Sequence, residues 1–262
     1  MRSNDEESRS LAIALDLRAA FGCGRSTAAA LPWPKECNMT FSVVARCAKT
    51  GMFGGAVSSS SPAVGARCSF ARAGIGAVAS QNITDPSLGP RALDLLSLGA
   101  NAIQTVEALR GSTPHMEFRQ VLVVDASGQA AVHSGGKCLG VWAEATGPDV
   151  ACGGNLLRNP EIPRVMVDAF LASKGHLGDR LLTTMRAAVQ AGGEAGPVHS
   201  AGLRLVDKVS WPIVDLRIDW TDDCPVAALE SLWDRYREQI DAYVQRALNP
   251  ELAPSYGVSG DP

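Results

Sequence analysis

The chain has 262 residues, is 46% hydrophobic, and carries 24 Lys and Arg against 27 Asp and Glu. That is enough apolar residue for a full core in one domain or two small ones, and the near-neutral balance, with no Lys/Arg block, excludes nucleic acid and anionic lipid as expected partners. The apolar stretch "LAIALDLRAAFGCG" is broken by Asp16 and Arg18, short of the roughly 18 residues a membrane span needs.

Residues 1–38 open "MRSNDEESRS" and close "LPWPKECN". They lack a basic secretory n-region, and only 10–22 has the pattern of a short amphipathic helix, so this part reads as an extension of turn-like composition. Alternation begins at Thr40, where "TFSVVARC" sets Phe41, Val43 and Ala45 against Thr40, Ser42, Val44 and Arg46. With "AKTGMFG" as turn and "GGAVSSSS" as return, this is a hairpin, and Thr40, Ser42 and Arg46 share one face.

"GIGAVASQNIT" predicts the next strand, ending at a cap-like Asp85-Pro86. Two helices follow, with Leu88, Ala92, Leu95 and Leu96 on the first and Ala102, Ile103, Val106 and Leu109 on the second. "FRQVLVVD" and "GQAAVHSG" read as paired strands, and "DVACGGNLL" as another. Asn159-Pro160 starts a helix, "LGDRLLTTMRAAVQAGG" a second, and "SAGLRLVD" and "VDLRIDW" two more strands. A long helix is expected from Asp223 to Leu248, with aromatic residues that could support a homodimer, and 249–262 as an extended tail. Paired strands and paired helices do not alternate as βαβ units; the order fits α+β, with antiparallel sheets packed face to face and helices outside.

Several motifs carry no chemistry. "GIGAVA" has dinucleotide-loop spacing, but a strand rather than a helix follows it. "SGGKC" lacks the rest of a phosphate loop. His115, His133, His176 and His199 are far apart and give no metal-ligand spacing, so neither metal nor cofactor is expected. Seven scattered cysteines, an odd number without C-x-x-C, fit reduced thiols of a cytoplasmic protein. The run Ser58 to Ser61 is either a polar edge or a lining of cleft hydroxyls.

The segments "TFSVVARC", "TGMFGGAVSSSSPAVGARC", "RAGIGAVASQNITDPSLGPRALDLL", "RQVLVVDASGQAAVHSG", "GGNLL" and "GPVHSAGLRLV", in that order, resemble the family of domain of unknown function 1028 (DUF1028), grouped with the Ntn hydrolases. The likeness runs from Thr40 to about Tyr243. It implies a four-layer αββα sandwich over residues 40–248 and a chemistry in which the first residue of the mature chain attacks an amide while its own α-amine takes the proton. Thr40 is the residue placed for that role, and it follows Met39 directly. A threonine inside a chain has no such base, whereas a free α-amine ionises near ~7.7–8.0. The resemblance therefore implies a chain that begins at Thr40, either because translation starts at Met39 or because a propeptide is cut there.

The attacked amide needs donors for its oxyanion, and Asn155, the adjoining Gly154 N–H, and Asn82 are the candidates. Each could instead be a turn or cap residue. Ser58 and Ser60 are candidate substrate contacts. Arg46 either binds a substrate carboxylate, orients Thr40, or forms a structural pair with Asp85 or Asp125. The expected activity is hydrolysis of a small or cyclic amide; the alternative is a binding or assembly module that keeps the fold without the chemistry.

Overall fold

The computed structural model describes residues 40–260; the expected extension 1–38 and its helix lie outside the described residues. Strand β1 (Thr40–Arg46) pairs antiparallel with β2 (Phe53–Ser59), Thr40 opposite Ser59 and Arg46 opposite Phe53. Gly51 takes the left-handed conformation the turn demands, with φ +78°, and its N–H closes on the Cys47 carbonyl at 2.8 Å. On its other edge β1 pairs with β8 (Val150–Asn155), Thr40 opposite Asn155. β7 (Ala143–Gly147), β9 (Ser200–Val206) and β10 (Val214–Ile218) complete a six-stranded sheet of order β10-β9-β2-β1-β8-β7. β3 (Ser69–Arg72), β4 (Gly76–Asn82), β5 (Arg119–Asp125) and β6 (Ala130–Ser134) form a four-stranded sheet in that order, and every pairing in both sheets is antiparallel.

The alternation read from the sequence decides the faces. Phe41, Val43 and Ala45 pack with Met166 and Phe170 of α4 (Ile162–Ala172), Leu181 and Met185 of α5 (Leu177–Gln190), and Trp233 of α6 (Pro225–Tyr236). Val44, between them in sequence, turns the other way and joins Ala77, Ala79, Leu122 and Val124 of the second sheet. The remaining face of that sheet offers Val78, Val121 and Val123 to Leu88, Ala92 and Leu96 of α2 (Leu88–Ser97) and Val106 and Leu109 of α3 (Ala102–Ser112). Burial of such side chains is worth about 1.5–3 kcal/mol each.

A polar seam crosses between the sheets behind the head of β1. Ser42 Oγ donates to Gln81 Oε1 at 2.6 Å, and Gln81 Nε2 donates to Gln120 Oε1 at 2.6 Å. Gln120 Nε2 reaches Ser134 Oγ at 2.8 Å and the Ala143 and Gly154 carbonyls at 3.2 and 3.3 Å. Because Gln81 and Gln120 are fully buried, each bond must form or a group is stranded away from water.

Two strands escape the sequence reading. β3 is only four residues long, and four of the five residues of β7, "AEATG", are of types depleted in strands; both are edges held by a neighbour. The expected helix from Asp223 to Leu248 is two helices, α6 and α7 (Ile240–Leu248), joined by a 3-10 turn at Arg237–Gln239. The break keeps Ile240 and Val244 against the same apolar cluster as Trp233. The tail is tied back, with the Arg246 guanidinium 3.8 Å from the Tyr256 ring centroid. No described helix is long and apolar enough to cross a membrane.

Replacing Gln120 by Leu strands the Gln81 side-chain donor. An unsatisfied buried group costs about 1–3 kcal/mol, so urea unfolding of Gln120→Leu should show a loss of about that size, and an unchanged midpoint would contradict the seam's role.

Candidate active site

Residues opposite one another in an antiparallel ladder project to the same face. Thr40, 5% exposed, therefore stands beside Ser59, and their hydroxyl oxygens lie 3.1 Å apart. Ser59 Oγ lies 2.9 Å from Ser61 Oγ and accepts the Ser61 N–H at 3.1 Å. Ser61 Oγ in turn accepts Arg67 Nη2 at 2.5 Å, while Arg67 Nη1 donates to the Pro62 carbonyl.

The short helix α1 (Gly65–Cys68) holds Arg67 there. Ser200 fastens the approach to it, donating to the Ser61 carbonyl at 2.6 Å and accepting the Val64 N–H at 3.2 Å. The result is a line of hydroxyls from Thr40 to a fixed positive charge. Such a line favours negative charge on the Thr40 oxygen, because each donor in it is polarised by the guanidinium behind.

Thr40, Ser61 and Arg67 line a cleft of about 490 Å³ together with apolar Ile83, Leu139 and Leu156. Arg67 is the charged residue among those lining the cleft, and no acid is among them. Cys68 also lines it, but burial pushes its thiol above the ordinary value and its sulfur sits 3.6 Å from Thr84 Oγ1, so it stays a thiol rather than a nucleophilic thiolate.

Asn155 is brought to Thr40 as the sequence suggested. It is fully buried, its Nδ2 donates to the Thr40 carbonyl at 3.4 Å, and its Oδ1 has no hydrogen-bond partner. Asn82, unlike Asn155, is among the residues lining the cleft, in a left-handed conformation with φ +73°. Its amide is engaged on both sides: Nδ2 donates to the Phe118 carbonyl at 2.6 Å and Oδ1 accepts the Leu139 N–H at 3.1 Å. It thereby fixes the loop that carries the apolar wall.

Four other expected contacts fall elsewhere. Arg46 shares the face of Thr40 but sits six residues along β1, roughly 20 Å away at about 3.3 Å per residue, and pairs with Asp149 at 2.9 Å rather than with Asp85 or Asp125. Ser58 is opposite Phe41, on the other face from Thr40, and donates to the Ser200 carbonyl at 3.1 Å. Ser60 does not line the cleft; its N–H and hydroxyl face Glu194. Gly154 lies inside the ladder between Phe41 and Ala143, so its backbone groups point along the sheet. The serine that meets Thr40 is Ser59, which is followed in the hydroxyl chain by Ser61, one step out of phase with those expected. Arg67 and Glu194 belong to no motif and were not foreseen.

Comparison with known proteins places this geometry in a family. A model described as a family of unknown function, DUF1028, matches residues 40–229. No curated protein matches the chain. The crystal structure of protein SPO2555 from Silicibacter pomeroyi, titled with the same family, is similar with 28% identity and a TM-score of 0.71, covering 77% of this chain and 93% of that one. Anbu (ancestral beta-subunit) from Yersinia bercovieri aligns with 12% identity and a TM-score of 0.34 over 77% of this chain and 96% of that one, too loose a fit to carry an argument. With more than half its length matched, beginning at Thr40 itself, the chain belongs to the DUF1028 family.

Proposed function

We propose that a chain beginning at Thr40 is an amide C–N hydrolase with Thr40 as nucleophile and its own α-amine as base, built on an αββα sandwich of the Ntn type. The observation that carries the reading is the hydroxyl chain Thr40–Ser59–Ser61 ending on Arg67, with Thr40, Ser61 and Arg67 lining one cleft.

In this mechanism the α-amine takes the Thr40 hydroxyl proton as Oγ1 bonds to the amide carbon. The second Asn155 Nδ2 hydrogen and the polarised hydroxyl chain oppose the charge that develops. The amine then passes its proton to the departing nitrogen, the C–N bond breaks, and water releases the acyl group from Oγ1 as an acid. Asn82 is a positioning residue that holds the apolar wall. Ile83, Leu139 and Leu156 suit an apolar part of a small amide, and Arg67 suits a carbonyl or carboxylate on it.

In the 262-residue chain the Thr40 nitrogen is acylated and cannot serve as a base. That form favours the second reading, a binding module that uses the same cleft without turnover.

Hydrolysis of a panel of small N-acyl p-nitroanilides and lactams by protein beginning at Thr40 separates the two. Thr40→Ala should abolish release of the amine while leaving the circular dichroism spectrum unchanged; equal rates would overturn the mechanism. Asn155→Ala should lower kcat about 10²–10³-fold if it supplies an oxyanion donor. Arg67→Ala removes a charged hydrogen bond worth about 1.5–3 kcal/mol, roughly 10- to 100-fold in kcat, and a normal kcat would show that the hydroxyl chain does not act on Thr40.

A further inference from the structure

Glu194 is 4% exposed, and neither of its carboxyl oxygens has a hydrogen-bond partner of full geometry. The Ser60 N–H and hydroxyl face it without saturating it, and no charged side chain of the described residues bears on it. Buried acids are rare unless paired, so an orphan of this kind asks for a missing group.

Its position says which one. β2 and β8 flank β1 on opposite sides, and one register step beyond the Thr40 pairs they present Ser60 and Leu156. Glu194 is bound to the β8 side through its bridge to Leu157 and through the Ala195 N–H, which donates to the Leu156 carbonyl at 3.1 Å. Its carboxyl nevertheless meets Ser60, on the β2 side. Strands two apart in a sheet are about 9.5 Å distant, so the Glu194 side chain must cross the line of β1 at its head, where the Thr40 nitrogen lies. A second orphan acceptor, Asn155 Oδ1, belongs to the residue directly opposite Thr40.

We propose that Glu194 is the buried partner of the Thr40 α-amine, a carboxyl reserved for an amino group that exists only in a chain beginning at Thr40. The proposal rests on the hydrolase reading for the mature terminus but not for turnover. The amine can donate to the carboxyl and to Asn155 Oδ1 together, which satisfies both orphans and fixes the orientation of the amine beside its own hydroxyl. Amine and carboxyl then share one proton near neutrality with no net charge, so their titrations belong to the pair. Glu194 is a positioning residue, since it acts on the amine and not on the substrate.

The acyl form should show the isolated carboxyl. Burial pushes Glu194 from an ordinary 4.5 up to about 9. The folded state then holds this proton more tightly than the unfolded one, so its contribution to stability is complete below about 4.5 and is lost as pH rises towards 9. In the 262-residue chain, Glu194→Gln should remove that decline from urea unfolding measured across this range.

The decisive test follows the carboxyl itself by NMR in protein labelled with 13C-carboxyl glutamate and assigned through its own backbone. It is run on the 262-residue chain and on a chain released from a cleavable fusion with Thr40 first; every described strand and helix begins at or after Thr40, so the second chain retains them. The midpoint for Glu194 should fall by at least about one pH unit when Thr40 becomes terminal, as expected beside a cation. The same midpoint in both chains overturns the proposal. A lowered midpoint without hydrolysis of any amide would keep the pair and sink the enzyme reading; hydrolysis with an unmoved midpoint would do the reverse.

Discussion

The register of β1 between β2 and β8 is the constraint on which the site depends. A slip of one residue would turn every side chain of the strand to the opposite face. It would drive Phe41, which is fully buried among the helices, into the cleft and hide the Thr40 hydroxyl in the apolar cluster. Burial of Phe41, Val43 and Ala45 therefore fixes the register, and the register sets Thr40 between Ser59 and Asn155. The packing that stabilises the sheet and the alignment that assembles the polar site are one arrangement.

That arrangement also confines charge. The residues lining the cleft carry a guanidinium and no carboxylate, while Glu194, whose carboxyl faces Ser60 just beyond the end of β2, is buried outside that lining, and burial pushes its carboxyl up. A carboxylate in the cleft would neutralise Arg67 and weaken the pull it exerts through Ser61 and Ser59. Between the sheets the Ser42–Gln81–Gln120 seam holds the second sheet in place without adding charge, and Asn82, at the end of the same strand as Gln81, fixes the apolar wall. Ser42 apart, the seam, the wall and the hydroxyl chain are built from residues far from Thr40 in sequence.

What could be read from the sequence follows from which forces are local. Alternation in "TFSVVARC" gave the faces of β1, because side-chain period is a property of one strand. Sheet membership of β3 and β7 was hidden, since those edge strands owe their conformation to a neighbour. For the serines, the run from Ser58 to Ser61 shows that hydroxyls are present, but only the pairing of Thr40 with Ser59 decides that the odd-numbered ones face it. Arg46 illustrates the opposite error: a shared face was legible, while the length of the strand put it out of reach. Glu194 and Arg67 stand in no motif, and what distinguishes them is burial and a neighbour's hydroxyl, neither of which is written in a linear pattern. Asn155 was found through the glycines before it, a local signal of close backbone approach.

The central claim is that the working protein presents a free amino group on Thr40. Intact mass and N-terminal peptide mapping of the catalytically active species, made from the unmodified gene without a tag, test it most directly. The account predicts a chain whose first residue is Thr40; amide hydrolysis by a species that still carries residues before Thr40 would contradict it.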